Sequence, residues 1–303
     1  MAGFISYVEV LGAAYLALTL AFYALSLRIP AAGFAARLLA SYAALLIASA
    51  YGVVVSICFR VVGYHRSGQW ATGRCFKYVM QLTTGVTFKI EDPHDYLNTI
   101  RPAVFVGNHQ TELDVLMLGC IFPRFCSVAA KSSLKKIPFL GWFMSLSGTV
   151  FIDRTNPNNA RSAMEGAAKE VSSQRQSVFM FPEGTRSYSK EPMLLPFKKG
   201  AFHLAVQAGV PIVPVVAANY SDILYVKGFM FKSGVIPLKV LKPIETKGLT
   251  TADVEDLTRD TRNLMLKEIT ELTARHRGQP MKIPSGETGG VVKASGAEAT
   301  ITS

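Results

Sequence analysis

The chain has 303 residues, half of them apolar, 10% aromatic and only 17% charged, which excludes a disordered or low-complexity polymer. Thirty-two Lys and Arg against 21 Asp and Glu leave a net charge of +11. A basic chain favours polyanions, and one this apolar suits anionic lipid headgroups or phosphorylated small molecules better than nucleic acid.

The first 59 residues carry only Glu9, Arg28 and Arg37 as charges. Val10 to Leu27 and Leu38 to Phe59 are uncharged runs of 18 and 22 residues. As a helix the second reaches roughly 33 Å, enough for a hydrocarbon core. The link Arg28-Ile-Pro-Ala-Ala-Gly carries both breakers, so residues 1–60 are expected to form a membrane-embedded helical hairpin. A cleaved signal peptide fits poorly, because no basic residue precedes the first run and a second run follows it. Arg60, His65, Arg66, Arg74 and Lys77 then mark 61–84 as a basic amphipathic connector. By the positive-inside rule both the N-terminus and the large C-terminal part face the cytoplasm. The alternative is a buried helical pair of a soluble bundle, although soluble helices rarely lack a polar face.

From about Gly85 the pattern becomes short β-rich runs separated by helical stretches. The expected strands are Val86–Ile90, Ala103–Val106, Ser127–Ala130, Thr149–Ile152, Val178–Phe181 and Ile212–Ala217. The expected helices are Glu112–Gly119, Asn159–Ser173, Ala201–Gln207 and Ala252–His276. Such alternation predicts an α/β domain over 85–280, a largely parallel sheet flanked by helices. Residues 281–303 form an expected disordered tail, lacking bulky side chains from 284 onward. Cys58, Cys75, Cys120 and Cys126 form no CxxC pair, which reads as reduced thiols on a cytosol-facing body.

In open α/β sheets chemistry gathers at the carboxyl ends of strands. Three expected strand ends carry reactive residues: Asn108-His109, Asp153-Arg154 and Pro182-Glu183-Gly184-Thr185-Arg186. On a straight helix His109 and Asp114 would face different ways. With His109 in a loop and a helix starting near Thr111, Asp114 turns back toward the imidazole. A carboxylate on one ring nitrogen fixes the tautomer and leaves the other free to take a proton, and an ordinary imidazole suits that task near neutrality. Two alternatives stay open: Thr111 and Asp114 match a capping box, and His109, Glu112 and Asp114 are a conceivable metal set. Gly184 allows close backbone approach to a ligand, Arg186 offers a planar fork for phosphate, and Glu183 can accept from a substrate hydroxyl; the plainer reading is a surface turn. Lys131 opens a basic and aromatic run to Met144 that fits a membrane interface or a core helix with a charged start. Lys198-Lys199 fits phosphate or water, and His203 reads as packing.

The run Asn108-His109-Gln110-Thr111-Glu112-Leu113-Asp114 resembles the HX4D motif of the glycerolipid acyltransferase family. Phe151-Ile152-Asp153-Arg154, Phe181–Ser187 and Val210–Val215 resemble the family's later blocks, in its order and spacing. The likeness runs from about Ala71 to Pro243, and Lys131–Met144 and Leu195–Ala205 are most similar to fungal 1-acylglycerol-3-phosphate acyltransferases. The resemblance implies a glycerol-3-phosphate acyltransferase-like fold and transfer of a fatty acyl group from acyl-CoA to the 2-hydroxyl of lysophosphatidic acid, giving phosphatidic acid. It makes His109 the general base and Asp114 its orienter, with Lys131, Arg154, Glu183, Gly184, Thr185 and Arg186 holding the substrate. Acyl-CoA is a co-substrate; no cofactor, metal, nucleic acid or protein partner is implied. The expected location is the endoplasmic reticulum membrane or a lipid droplet, with the catalytic part toward the cytosol. No GxSxG elbow is present, so no serine acyl-enzyme is expected. Relatives acylating glycerol 3-phosphate or headgroup-bearing lysophospholipids share these blocks. From other classes, a non-catalytic lipid-binding protein and a metal-dependent phosphohydrolase are the rivals.

Overall fold

In the computed structural model, which describes residues 2–153 and 157–278, the alternation builds one seven-stranded sheet. Its strands are β1 (Val86–Glu91), β2 (Val104–Gly107), β3 (Cys126–Lys131), β4 (Val150–Ile152), β5 (Ser177–Met180), β6 (Ile212–Ala217) and β9 (Gly234–Val240). They lie in the order β1-β9-β6-β2-β5-β3-β4, and every neighbouring pair is parallel except β6 with β9. Between β6 and β9 a small antiparallel pair forms, β7 (Leu224–Tyr225) with β8 (Met230–Phe231).

Helices cover both faces. On one lie α3 (Gly68–Thr84) and α5 (Asp114–Ile121), with α2 (Pro30–Val61) outside them and α1 (Ala2–Leu25) beyond; α4 (Tyr96–Thr99) is a single turn, and α6 (Leu140–Leu146) packs on α2. The other face carries α7 (Pro157–Gln174), α8 (Gly200–Ala208) and α9 (Val254–Arg277). Parallel strands buried on both faces explain the unbroken apolar runs. Phe105, Phe179, Val213 and Val215 pack toward α3 and α5, while Val104, Val106, Val178 and Val216 pack toward α7, α8 and α9. Each such side chain contributes about 1.5–3 kcal/mol by leaving water.

Strand β9 was not expected, because Pro237 interrupts its β pattern and proline disfavours an inner strand. It is tolerated because its missing N–H falls at the end of the β6 ladder. Ala218, the residue after β6, donates its N–H to the Pro237 carbonyl at 2.9 Å. An ordinary residue at 237 would return a bond to the Ala218 carbonyl. Here the Gln110 side-chain amide donates to that carbonyl instead, at 2.9 Å.

The expected link at Arg28–Gly33 is shorter in the structure. Pro30 opens α2 rather than breaking it, as suits a residue with fixed φ and no N–H in the first turn. Ala40, Ala44, Ala48, Gly52 and Ser56 form a stripe of small residues on the buried side of α2. This lets α3, within the segment expected to be a connector, lie close against it. Arg37 donates to the carbonyls of Thr84 and Phe231, and the Tyr15 hydroxyl donates to Leu39 at 2.6 Å across α1 and α2. Helix α2 is long and apolar enough to cross a membrane, and most of its apolar stretch is unburied. The expected tail at 281–303 lies outside the described residues.

Candidate active site

Strand β2 ends at Gly107, where a Cβ would stand 2.8 Å from the Phe179 ring. The next residues alternate as if the strand continued. The Asn108 side chain donates to the Ala217 carbonyl at 3.0 Å and accepts from the Ala217 N–H at 2.9 Å. Gln110 turns the same way, to Ala218. His109 between them projects to the opposite side at the carboxyl end of the sheet, its ring stacked on Phe181 with centroids 4.2 Å apart.

Asp114 is 1% exposed and opens α5, two residues after the helix start expected at Glu112. Its carboxylate folds back over the loop. Oδ2 accepts from His109 Nδ1 at 2.8 Å and from the backbone N–H groups of Gln110 at 2.6 Å and Thr111 at 3.2 Å. One oxygen thus holds the imidazole and takes the Thr111 N–H of the expected capping box, while Thr111 Oγ1 accepts from Leu113 N–H rather than from that of Asp114. Oδ1 accepts from the Tyr220 hydroxyl at 2.7 Å. Tyr220 is fully buried, and burial together with the Asp114 carboxylate pushes its phenol well above the ordinary value, so it stays a donor. With Nδ1 committed to Asp114, His109 Nε2 has no hydrogen-bond partner among the described residues, and the side chain is 18% exposed.

The loop after β5 is joined to this one. Ser187 N–H donates to the His109 carbonyl at 3.0 Å and Tyr188 N–H to that of Gln110 at 3.1 Å. Glu183 differs from its expected role. Its side chain is buried, with Oε1 accepting from His109 N–H at 2.7 Å and Oε2 from Leu195 N–H at 2.9 Å. Both oxygens face backbone, so it ties two loops together rather than meeting a substrate hydroxyl. Burial pushes its carboxyl up to about 7, against the pull of those two donors. Gly184 has φ +70°, a left-handed backbone that favours glycine, and the mobile end of the Lys198 side chain lies against it.

Arg186 Nη1 reaches Glu112 Oε1 at 3.0 Å and the Tyr188 hydroxyl at 3.3 Å, while its buried Nε has no partner. Tyr188 donates to the same Glu112 oxygen at 2.6 Å. The metal alternative fails on this geometry, since Glu112 turns to Arg186 and both Asp114 oxygens accept from N–H or O–H groups. No group of three metal-ligating residues occurs among the described residues.

His109, Asp114, Glu183, Gly184 and Arg186 thus come together, and Thr185 sits exposed in the same loop. Lys131 ends β3 at the same carboxyl end of the sheet but two strands from β2, and its side chain is exposed. Arg154 lies outside the described residues. In that run Trp142 is 54% and Phe139 40% exposed while Gly141 and Met144 are buried, so the helix carries both an exposed aromatic face and a packed one; His203 is exposed rather than packed. Tyr220, Tyr188, the Glu112 carboxylate on Arg186 and Lys198 against Gly184 were missed. Only Lys198 carried a signal, as a basic pair whose partner was undecided.

The family model described as Acyltransferase matches residues 89–218. A 1-acyl-sn-glycerol-3-phosphate acyltransferase of Saccharomyces cerevisiae is 42% identical over 222 residues, 73% of each chain. The human 1-acyl-sn-glycerol-3-phosphate acyltransferase beta is 41% identical over 184 residues, 61% of this chain and 64% of that one. Among solved structures, the 1-acyl-sn-glycerophosphate acyltransferase PlsC of Thermotoga maritima superposes with a TM-score of 0.61 at 25% identity. The match covers 79% of this chain and 97% of that one.

Proposed function

We propose that this chain, which belongs to the 1-acyl-sn-glycerol-3-phosphate acyltransferase family, moves a fatty acyl group from acyl-CoA to the sn-2 hydroxyl of 1-acyl-sn-glycerol 3-phosphate, giving phosphatidic acid. The observation that carries this reading is one juxtaposition. An imidazole fixed by a buried carboxylate at 2.8 Å stands beside the loop that holds Arg186.

His109 Nδ1–H is held by Asp114, so Nε2 presents its lone pair. It takes the proton of the acceptor hydroxyl as that oxygen attacks the thioester carbonyl carbon. The new C–O bond forms, the C–S bond breaks, and the imidazolium returns its proton to the departing CoA sulfur. Asp114 stabilises the imidazolium, and Tyr220 and two backbone N–H groups hold Asp114. The thioester already carries its leaving group, so positioning and activating the hydroxyl is most of the protein's task. Arg186, with Lys198, Lys131 and Arg154, supplies positive charge for the acceptor phosphate, and Glu183 positions both loops.

The exposed apolar surfaces of α1 and α2 anchor the enzyme in a bilayer. The basic residues that follow α2 favour a body on the cytosolic side of the endoplasmic reticulum. Both substrates keep their chains in lipid while their polar ends meet above it.

Purified full-length enzyme offered 1-acylglycerol 3-phosphate, glycerol 3-phosphate and lysophosphatidylcholine with one acyl-CoA tests the reading by thiol release. The first acceptor is expected to turn over at least about tenfold faster than the others, the difference made by a phosphate monoester contact plus a buried chain. Equal or faster turnover of either alternative overturns the assignment of acceptor. A second expectation concerns Tyr220→Phe. Loss of one donor to a buried carboxylate lowers kcat by about tenfold and leaves the acceptor KM in place. An unchanged kcat removes Tyr220 from the network.

A further inference from the structure

At the end of the sheet opposite His109, a cleft of about 500 Å³ opens at the amino ends of β2, β3 and β5. Its walls include Trp70 of α3, Ile100 and Arg101 before β2, and Arg124 and Phe125 before β3. The Arg101 guanidinium lies 3.9 Å from the Phe125 ring centroid, and that of Arg124 lies 4.6 Å from the Trp70 ring. A guanidinium resting on a ring face keeps its N–H edge available, and that edge matches two phosphate oxygens.

Arg101 Nε donates to the Arg175 carbonyl at 2.9 Å, which brings a third cation to the rim. None of Arg101, Arg124 and Arg175 has a carboxylate partner among the described residues. No acid lines the cleft; Asn98 at its edge donates to Asp95. Burial, and then the charges of Arg175 and Arg66, lower the Arg101 guanidinium below its ordinary value. Phe125 and Arg175 both hold left-handed backbone, φ 56° and 49°, a conformation that costs energy for any residue with a side chain. The first places the ring under Arg101, and the second belongs to the residue whose carbonyl receives its Nε.

We infer that this cleft binds an organic phosphate, its phosphate on Arg101 and Arg124 and its carbon part against Trp70 and Ile100. The volume falls within the range of small-molecule sites, about 300–1,000 Å³, and exceeds what a bare inorganic ion fills. Such a ligand is not the acylated acceptor, because β2 alone separates the cleft from His109 by about 13 Å. Two sources share this chemistry: the headgroup of a phosphatidic-acid-type lipid and a soluble phosphate ester.

The test uses the full chain in neutral detergent. Trp142→Phe leaves Trp70 as the sole tryptophan, since the chain has two, and Arg186→Ala silences anion binding at the other loop. Glycerol 3-phosphate in solution is titrated in one arm and phosphatidic acid in mixed micelles in the other. Trp70 emission is expected to change saturably in at least one arm, which also identifies the source. In this background Arg101→Gln with Arg124→Gln is expected to weaken that binding by about tenfold or more at unchanged melting temperature. Arg124→Gln alone, which removes a ring contact and no hydrogen bond among the described residues, should move affinity the same way. No saturable change in either arm, or equal affinity in the variants, overturns the inference.

Discussion

Replacing His109 with alanine is expected to lower kcat for acyl transfer by about 10²–10⁴-fold, the range removed with a general base. The acceptor KM should hardly move, because the groups assigned to the phosphate are other side chains, Arg186 and Lys198 on the adjoining loop together with Lys131 and Arg154. The fold should also survive. His109 contributes its backbone to Glu183 and Ser187, and alanine keeps those bonds. What disappears is the Nε2 lone pair, with no substitute side chain bonded to Asp114 to take the proton. Release of CoA thiol with lysophosphatidic acid as acceptor measures the effect, and membrane sedimentation checks that association is intact. Turnover at the wild-type rate in the purified variant refutes the general-base role.

Arg186→Ala is expected to raise the acceptor KM by about 10- to 100-fold, the loss of a charge-assisted fork to a phosphate. The structure adds a second arm. Glu112 already occupies Nη1 of Arg186, reinforced by Tyr188. A phosphate approaching that fork competes with this carboxylate for the same donor. Glu112→Gln should therefore lower the acceptor KM, the opposite direction to Arg186→Ala. Initial rates against lysophosphatidic acid concentration read both. An unchanged concentration dependence in Arg186→Ala sinks the phosphate role, and a raised KM in Glu112→Gln shows that the carboxylate helps the fork rather than competing with it.

The parallel strands were legible because burial on both faces demands unbroken apolar runs, and each of the six expected strands overlaps an observed one. The candidate site was legible where it is local. His109 and Asp114 share one loop-to-helix turn, and Glu183 through Arg186 share another. Contacts made across the sheet left no local trace. Tyr220 reaches Asp114 from beyond β6, and nothing near either residue announces the pair. Glu183 looked like a ligand group because its burial depends on Leu195, far along the same loop. Strand β9 was hidden by its proline, and α3 by its modest apolarity. The stripe of small residues that lets α3 approach is read only with both helices in hand.

Pro237 has a consequence for the His109 imidazole. Any other amino acid at that point would bring an amide to the Ala218 carbonyl and compete with Gln110 for it. The flaw in the ladder works as a keyhole, and the side chain that fills it sets the bearing of its neighbour. The direction in which the His109 ring points thus depends in part on a remote imino acid.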